Sequence, residues 1–227
     1  MRTLVLWDID RTLVHLGGLG LNWYRDALTA VAGVELTHLP SFGGRTEQAI
    51  SRDILRLHGV APTDELVASL HAELVAAADR DATRIGSHGR ALPGASEALA
   101  GLAAVAGVVQ TVVTGNLPTI ARQKLTPFGM DAHVDFSIGG YGSLSEFRPD
   151  LVTEALRLAT AKHGVAAASV VVIGDTEHDV EAALHHGFRA IGVATGSCGA
   201  DELRAAGAHA VFADLSDTDE VLSAVLG

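Results

Sequence analysis

One cysteine, Cys198, serves the whole 227-residue chain. A single thiol excludes an intrachain disulfide and any paired-cysteine zinc site, and it fits a reducing, cytoplasmic setting. Positive charge is also scarce: 16 Lys and Arg face 27 Asp and Glu, a net charge of −11. No basic cluster breaks this balance. Nucleic acid is therefore not an expected partner, because that binding rests on neutralising phosphates. Long apolar runs are missing too. The longest weakly polar stretch, 98–113, is interrupted by Gln110 and by glycines. It is too short and too broken to span a bilayer, so no membrane partner is expected. The first apolar run meets Asp8 too early for a secretory leader. What the chain has in quantity is apolar material, 48% against 19% charged. That suffices for a sizeable core: one large domain, or a core with an insert.

The first apolar run, Thr3 to Trp7, reads as a buried strand. It ends in Asp8-Ile9-Asp10. Aspartate often simply begins a turn, but two carboxylates this close repel unless a cation or a proton intervenes. In open α/β sheets, ligands lie where strands end. Three helical stretches follow. Asn22 is the expected cap of the first, which Gly33 ends. Arg45-Thr46 opens the second, and Thr63-Asp64-Glu65 starts the third.

From Leu92 the pattern becomes alternating helix and strand. Strands are expected at 108–113, 136–138, 170–173, 190–193 and 210–212. Pro118 and Pro149 mark helix starts, and Ser216 caps the last helix. This alternation predicts an α/β fold: a three-layer, Rossmann-like parallel sheet with helices on both faces. The expected division is an α/β core, 1–14 and 90–227, and a helical insert, 15–89.

Three strands of such a sheet end on one edge in polar residues. The first brings Asp8 and Asp10. The second brings Thr114-Gly115-Asn116, a hydroxyl and backbone N–H groups near a helix start, which favours anions. The third brings Asp175, with Asp179 one helical turn on. Arg148 lies just before the helix at Pro149, within reach of that edge, and Lys124 is the alternative cation. Carboxylates with carbonyls suit Mg²⁺. Hydroxyl, N–H and guanidinium suit a phosphoryl group.

In order, Asp8-Ile9-Asp10-Arg11-Thr12, Thr114-Gly115-Asn116, Arg148 and Gly174-Asp175-Thr176-Glu177-His178-Asp179 resemble the four motifs of the haloacid dehalogenase superfamily. The insert resembles that superfamily's small helical cap. Phe42-Gly43-Gly44-Arg45-Thr46 resembles the substrate-facing cap loop of its phosphoglycolate phosphatase and β-phosphoglucomutase branch. The resemblance implies a Mg²⁺-dependent phosphatase acting on a small phosphorylated metabolite. It implies Asp8 as nucleophile and Asp10 as general acid and base. Thr114, Gly115, Asn116 and Arg148 would bind the phosphoryl group, and Arg45 would read a polar or anionic part of the leaving group. The metal would be held by Asp8, Asp175 and the carbonyl of Asp10, with Asp179 behind them. Two positions depart from the family pattern. Arg148 stands where lysine is usual, and Arg11 where glycine is common.

Dehalogenation does not fit Asp10. Schiff-base phosphonate cleavage would need a lysine in the insert, and the only lysines are Lys124 and Lys162. A sugar phosphomutase and a non-catalytic phospho-ligand module stay open as alternatives, as do a monomer and a homodimer. Cys198 has no base beside it in sequence and reads as a bystander.

Overall fold

The computed structural model describes residues 2–166 and 169–227. In chain order the elements are β1 (Thr3–Trp7), β2 (Val14–His15), α1 (Leu19–Ala32), α2 (Glu47–Leu57), α3 (Asp64–Arg80), α4 (Ala82–His88) and β3 (Arg90–Ala91). They continue with α5 (Ala95–Ala103), β4 (Val108–Thr114), α6 (Pro118–Leu125), β5 (Gly140–Tyr141), α7 (Arg148–His163) and β6 (Val170–Gly174). The chain closes with α8 (Glu177–His185), β7 (Arg189–Val193), α9 (Ala200–Ala205), β8 (Ala210–Phe212) and α10 (Thr218–Leu226). Six strands form one sheet in the order β5-β4-β1-β6-β7-β8. Every pairing in it is parallel. This is the expected α/β architecture, with β1 in the centre.

Successive residues of β1 point to opposite faces, as the period of a strand requires. Val5 and Trp7 join Leu99, Leu102, Ala121 and Val221 on one side. Leu4 and Leu6 join Leu151, Val152, Val180 and Leu203 on the other. Helices thus cover both faces, and β1 is apolar from Leu4 to Trp7 because it has no solvent side there. Gln110 on β4 is buried and satisfied. It accepts from Trp7 Nε1 at 3.0 Å and donates to the Leu99 carbonyl at 2.8 Å.

Helices α1 to α4 have a hydrophobic cluster of their own, built on Leu28, Ile54, Leu70, Leu74 and Ala78. Leu117 and Ile120, at the start of α6, complete it. Thr46 and Thr63 cap α2 and α3, accepting from the Ala49 and Leu66 amides at 3.3 Å each. The chain enters and leaves this helical block through a two-strand ribbon, Val14 opposite Ala91 and His15 opposite Arg90. Among the described residues, no helix is long and apolar enough to cross a membrane.

Three local expectations need correction. Residues 136–138 form a 3₁₀ turn rather than a strand, because the Asp135 carboxylate accepts from the Ser137 amide and hydroxyl, at 3.1 and 2.7 Å. The edge strand is the next pair, Gly140–Tyr141. Helix α1 starts at Leu19, after left-handed Gly18, so Asn22 lies inside it and accepts from Arg25. Helix α10 is capped by Asp217, which accepts from the Glu220 amide at 3.1 Å; Ser216 does not cap it.

Candidate active site

The C-terminal ends of β1, β4 and β6 open on a cavity of about 530 Å³. Its lining includes Asp8, Asp10, Thr114, Asn116, Arg148 and Asp175. Parallel pairing puts these strand ends at one edge, so residues more than a hundred positions apart meet there.

Asp8 leaves β1 with its amide bonded to the Ile173 carbonyl at 2.8 Å. Its carboxylate is 6% exposed; Oδ1 accepts from Arg148 Nη2 at 2.8 Å. The same nitrogen donates to Asp179 Oδ1 at 2.6 Å, while Nη1 donates to the Gly44 carbonyl at 3.0 Å. Arg148 therefore ties two core carboxylates to the loop before α2. Asp179 has a second task. Its Oδ2 accepts from the Thr176 amide and hydroxyl, at 3.1 and 2.7 Å, and so caps α8. Asp175, buried opposite, accepts from Thr12 Oγ1 at 3.4 Å, and Thr12 also reaches Asp8 Oδ2 at 3.2 Å. Thr12 bridges the two acids, a role its sequence position did not announce.

Oxygens of Asp8, Asp175 and Asp179 all lie within 4.8 Å of one another. One guanidinium faces these buried acids. Burial first, then Asp179, pushes the Asp8 carboxyl up to about 7 despite Arg148. Burial, Asp8 and Asp179 push Asp175 up to about 9. A group of buried carboxylates short of positive charge suits a hard divalent cation, whose ligands are oxygens. The residues present fit one.

These shifts have a consequence for the metal-free protein. Both folded-state values lie above the ordinary 3.8, so folding favours the protonated acids. The stability they contribute is complete below 3.8 and is lost as pH rises through about 7 and then about 9. Melting in EDTA is therefore expected to occur at lower temperature at pH 8.5 than at pH 6, and Mg²⁺ should raise the pH 8.5 midpoint more than the pH 6 one. Equal midpoints in EDTA at the two pH values would contradict the shifts.

Asp10 is not paired with Arg148. Its carboxylate takes Lys124 Nζ at 2.6 and 2.7 Å and Asn116 Nδ2 at 2.8 Å. Burial alone would raise this carboxyl, but the Lys124 ammonium and its hydrogen bonds outweigh that and hold it low. Both candidate cations are thus in the site, each on a different acid. Asn116 also donates to Thr114 Oγ1 at 2.7 Å and accepts from Lys124 at 2.6 Å, so the second motif is locked to Asp10.

Gly115 has a steric reason. A Cβ there would lie 2.0 Å from the Arg45 carbonyl. The bare backbone lets the loop before α2 dock on this edge, and the Gly115 carbonyl accepts from the Glu47 amide at 2.9 Å. Arg45 lines the cavity, yet its guanidinium is occupied by Asp53 at 2.7 Å and by the Ser41 carbonyl at 3.2 Å. Arg11 is the one non-glycine residue with positive φ among the described residues, at 65°. That conformation costs roughly 1–2 kcal/mol for an L side chain and accounts for glycine being common at this position in the family the motifs resemble.

Residues 148–218 match the family model described as HAD-hydrolase-like. No curated protein matches the chain in sequence. Among solved structures, a hydrolase from Pseudomonas syringae is 24% identical, with 98% of each chain covered and a TM-score of 0.70. CbbY from Rhodobacter sphaeroides, solved in complex with phosphate, is 20% identical over 96% of each chain, with a TM-score of 0.71. A predicted phosphoglycolate phosphatase from Haemophilus somnus 129pt is 19% identical over 97% of this chain and 98% of that one, with a TM-score of 0.67. Across its length the chain has the haloacid dehalogenase fold, and over residues 148–218, which carry the third and fourth motifs, it matches the HAD-hydrolase-like family.

Proposed function

We propose that this protein is a Mg²⁺-dependent phosphatase of small phosphate monoesters, working through a phosphorylated Asp8. The observation that carries the reading is the meeting of Asp8, Asp175 and Arg148 at the floor of one cavity, with Asp179 behind them and Asp10 at the side. Phosphoryl transfer asks mainly for positioning and charge neutralisation. Asp8 and Asp175, with the Asp10 carbonyl, would hold the cation, which supplies positive charge to the phosphoryl oxygens when bound. Arg148 keeps the Asp8 carboxylate oriented through Oδ1. The Thr114 hydroxyl and the Gly115 amide would bind the phosphoryl oxygens, and Asn116, whose main-chain and side-chain N–H groups both donate to Thr114 Oγ1, would hold that hydroxyl in place.

An Asp8 oxygen attacks phosphorus as the bond to the leaving oxygen breaks, and that oxygen takes the proton that Asp10 gained from the hydrolytic water of the preceding turnover. Water then attacks the aspartyl-phosphate, Asp10 takes its proton, and Asp8 is released with inorganic phosphate. The Asp10 carboxylate, paired with Lys124 and Asn116, has the form suited to the second half. Residues 15–89 act as the cap. They close the cavity over the leaving group and keep bulk water from it.

Purified protein is expected to release phosphate from an aryl phosphate with Mg²⁺ and to stop in EDTA. The phosphomutase alternative predicts transfer to a second hydroxyl of a sugar with little free phosphate. No release and no transfer from any phosphorylated compound, in a folded protein, would leave the binding module.

A further inference from the structure

The cavity holds a second buried acid that the proposed chemistry does not use. Glu47, the first residue of α2, is 6% exposed and lines the wall on the leaving-group side. Its Oε2 accepts from Tyr24 Oη at 2.7 Å and its Oε1 from Ser51 Oγ at 3.1 Å. Both donors are neutral. Among the described residues no cation pairs with Glu47, because the nearby ones are committed: Arg45 to Asp53, Lys124 to Asp10, Arg148 to Asp8 and Asp179. A carboxylate has about four acceptor positions, and two here are filled. Burial pushes this carboxyl up to about 7. A buried acid without a counter-charge is costly, and this one lines a cavity whose walls include the apolar Leu16, Leu21, Phe42 and Ile50.

We propose that Glu47 is the specificity residue for the leaving group, and that it accepts a hydrogen bond from a hydroxyl or an amine carried on an otherwise apolar alcohol moiety. This rests on the phosphatase reading and refines it. The free acceptor positions of Glu47 match a donor. The apolar walls match a short carbon chain between that donor and the ester oxygen. A leaving group ending in a methyl group would leave the acceptor positions unmet, and sites built around such a bond reject analogues lacking it far more strongly than size alone would.

The test compares 3-hydroxypropyl, 3-aminopropyl and n-butyl phosphate, three esters of similar length, with an aryl phosphate as control. Wild type should favour at least one donor-bearing ester over the butyl ester by about tenfold or more in kcat/KM. A preference for 3-aminopropyl would identify an amine, and a preference for 3-hydroxypropyl a hydroxyl. In Glu47→Gln, which keeps the shape and an acceptor for Tyr24, the amine preference should disappear. Glu47→Ala should lose the preference of either kind, with turnover of the aryl control retained within a few-fold. Equal kcat/KM for all three alkyl esters, with the aryl control hydrolysed, overturns the inference and leaves the phosphatase reading standing. Failure to hydrolyse the aryl control as well overturns both. An unchanged preference in folded Glu47→Ala shows that Glu47 only braces α1 against α2 and also overturns it.

Discussion

Asp8→Asn should reduce turnover by at least about 10⁴-fold, the order found when a nucleophile is removed from a catalytic unit, while the protein stays folded. The amide keeps the size of the side chain and can still accept from Arg148 Nη2. It cannot form the acyl phosphate. The same change removes one of three clustered buried carboxylates, of which only Asp8 and Asp179 pair with the single guanidinium of Arg148. In EDTA at pH 8, where ionised Asp8 faces the buried Asp179 carboxylate, the variant should be more stable than wild type. A gain of about 1 kcal/mol corresponds to about 2–4 °C for a chain of this size. Stopped hydrolysis with a raised melting temperature is the signature of a charge kept for chemistry at the expense of stability. Hydrolysis retained in the variant would refute Asp8 as nucleophile.

Arg148→Ala is expected to have the largest effect on stability, a loss of about 3–5 kcal/mol, because removing one partner strands buried charges. The side chain is 6% exposed and holds Asp8, Asp179 and the Gly44 carbonyl together. Asp179 would still cap α8 through Thr176 but would face Asp8 without a cation between them. Urea denaturation measures the loss. Arg148→Lys should fall in between: it restores the charge, but an ammonium cannot reach the acids and the Gly44 carbonyl with the span of a guanidinium. A midpoint for Arg148→Ala equal to that of wild type would show that the acids are balanced by something else.

How much of this was legible in the sequence differs from residue to residue. Asp8, Asp10 and Asp175 follow directly on apolar strands, so their placement at a sheet edge needed only the rule that parallel strands end together. Arg148 was legible through Pro149, which marks a helix start. Lys124 was not. It lies late in α6, and whether it faces Asp10 depends on how that helix packs, which no local pattern states. Glu47 looked like an ordinary acid in the first turn of a helix. Its burial comes from Tyr24, Ser51 and the docking of the loop on Gly115, all tertiary. The 3₁₀ turn at 136–138 has the apolar-polar-apolar spacing of a strand, and the Asp135 cap overrode it.

The loop before α2 and the first turn of α2 are fastened to the sheet edge by main-chain groups: the Gly44 carbonyl to Arg148, the Glu47 amide to the Gly115 carbonyl, and the Gln48 amide to the Gly142 carbonyl at 2.8 Å. None of the three bonds uses a side chain from the loop itself. Side chains at 45 and 47 can therefore be exchanged without undocking the segment that carries them. On the proposed phosphatase reading, such a scaffold would let point mutations retune which alcohol is accepted while the phosphate end stays as it is, a practical starting point for laboratory evolution toward new esters.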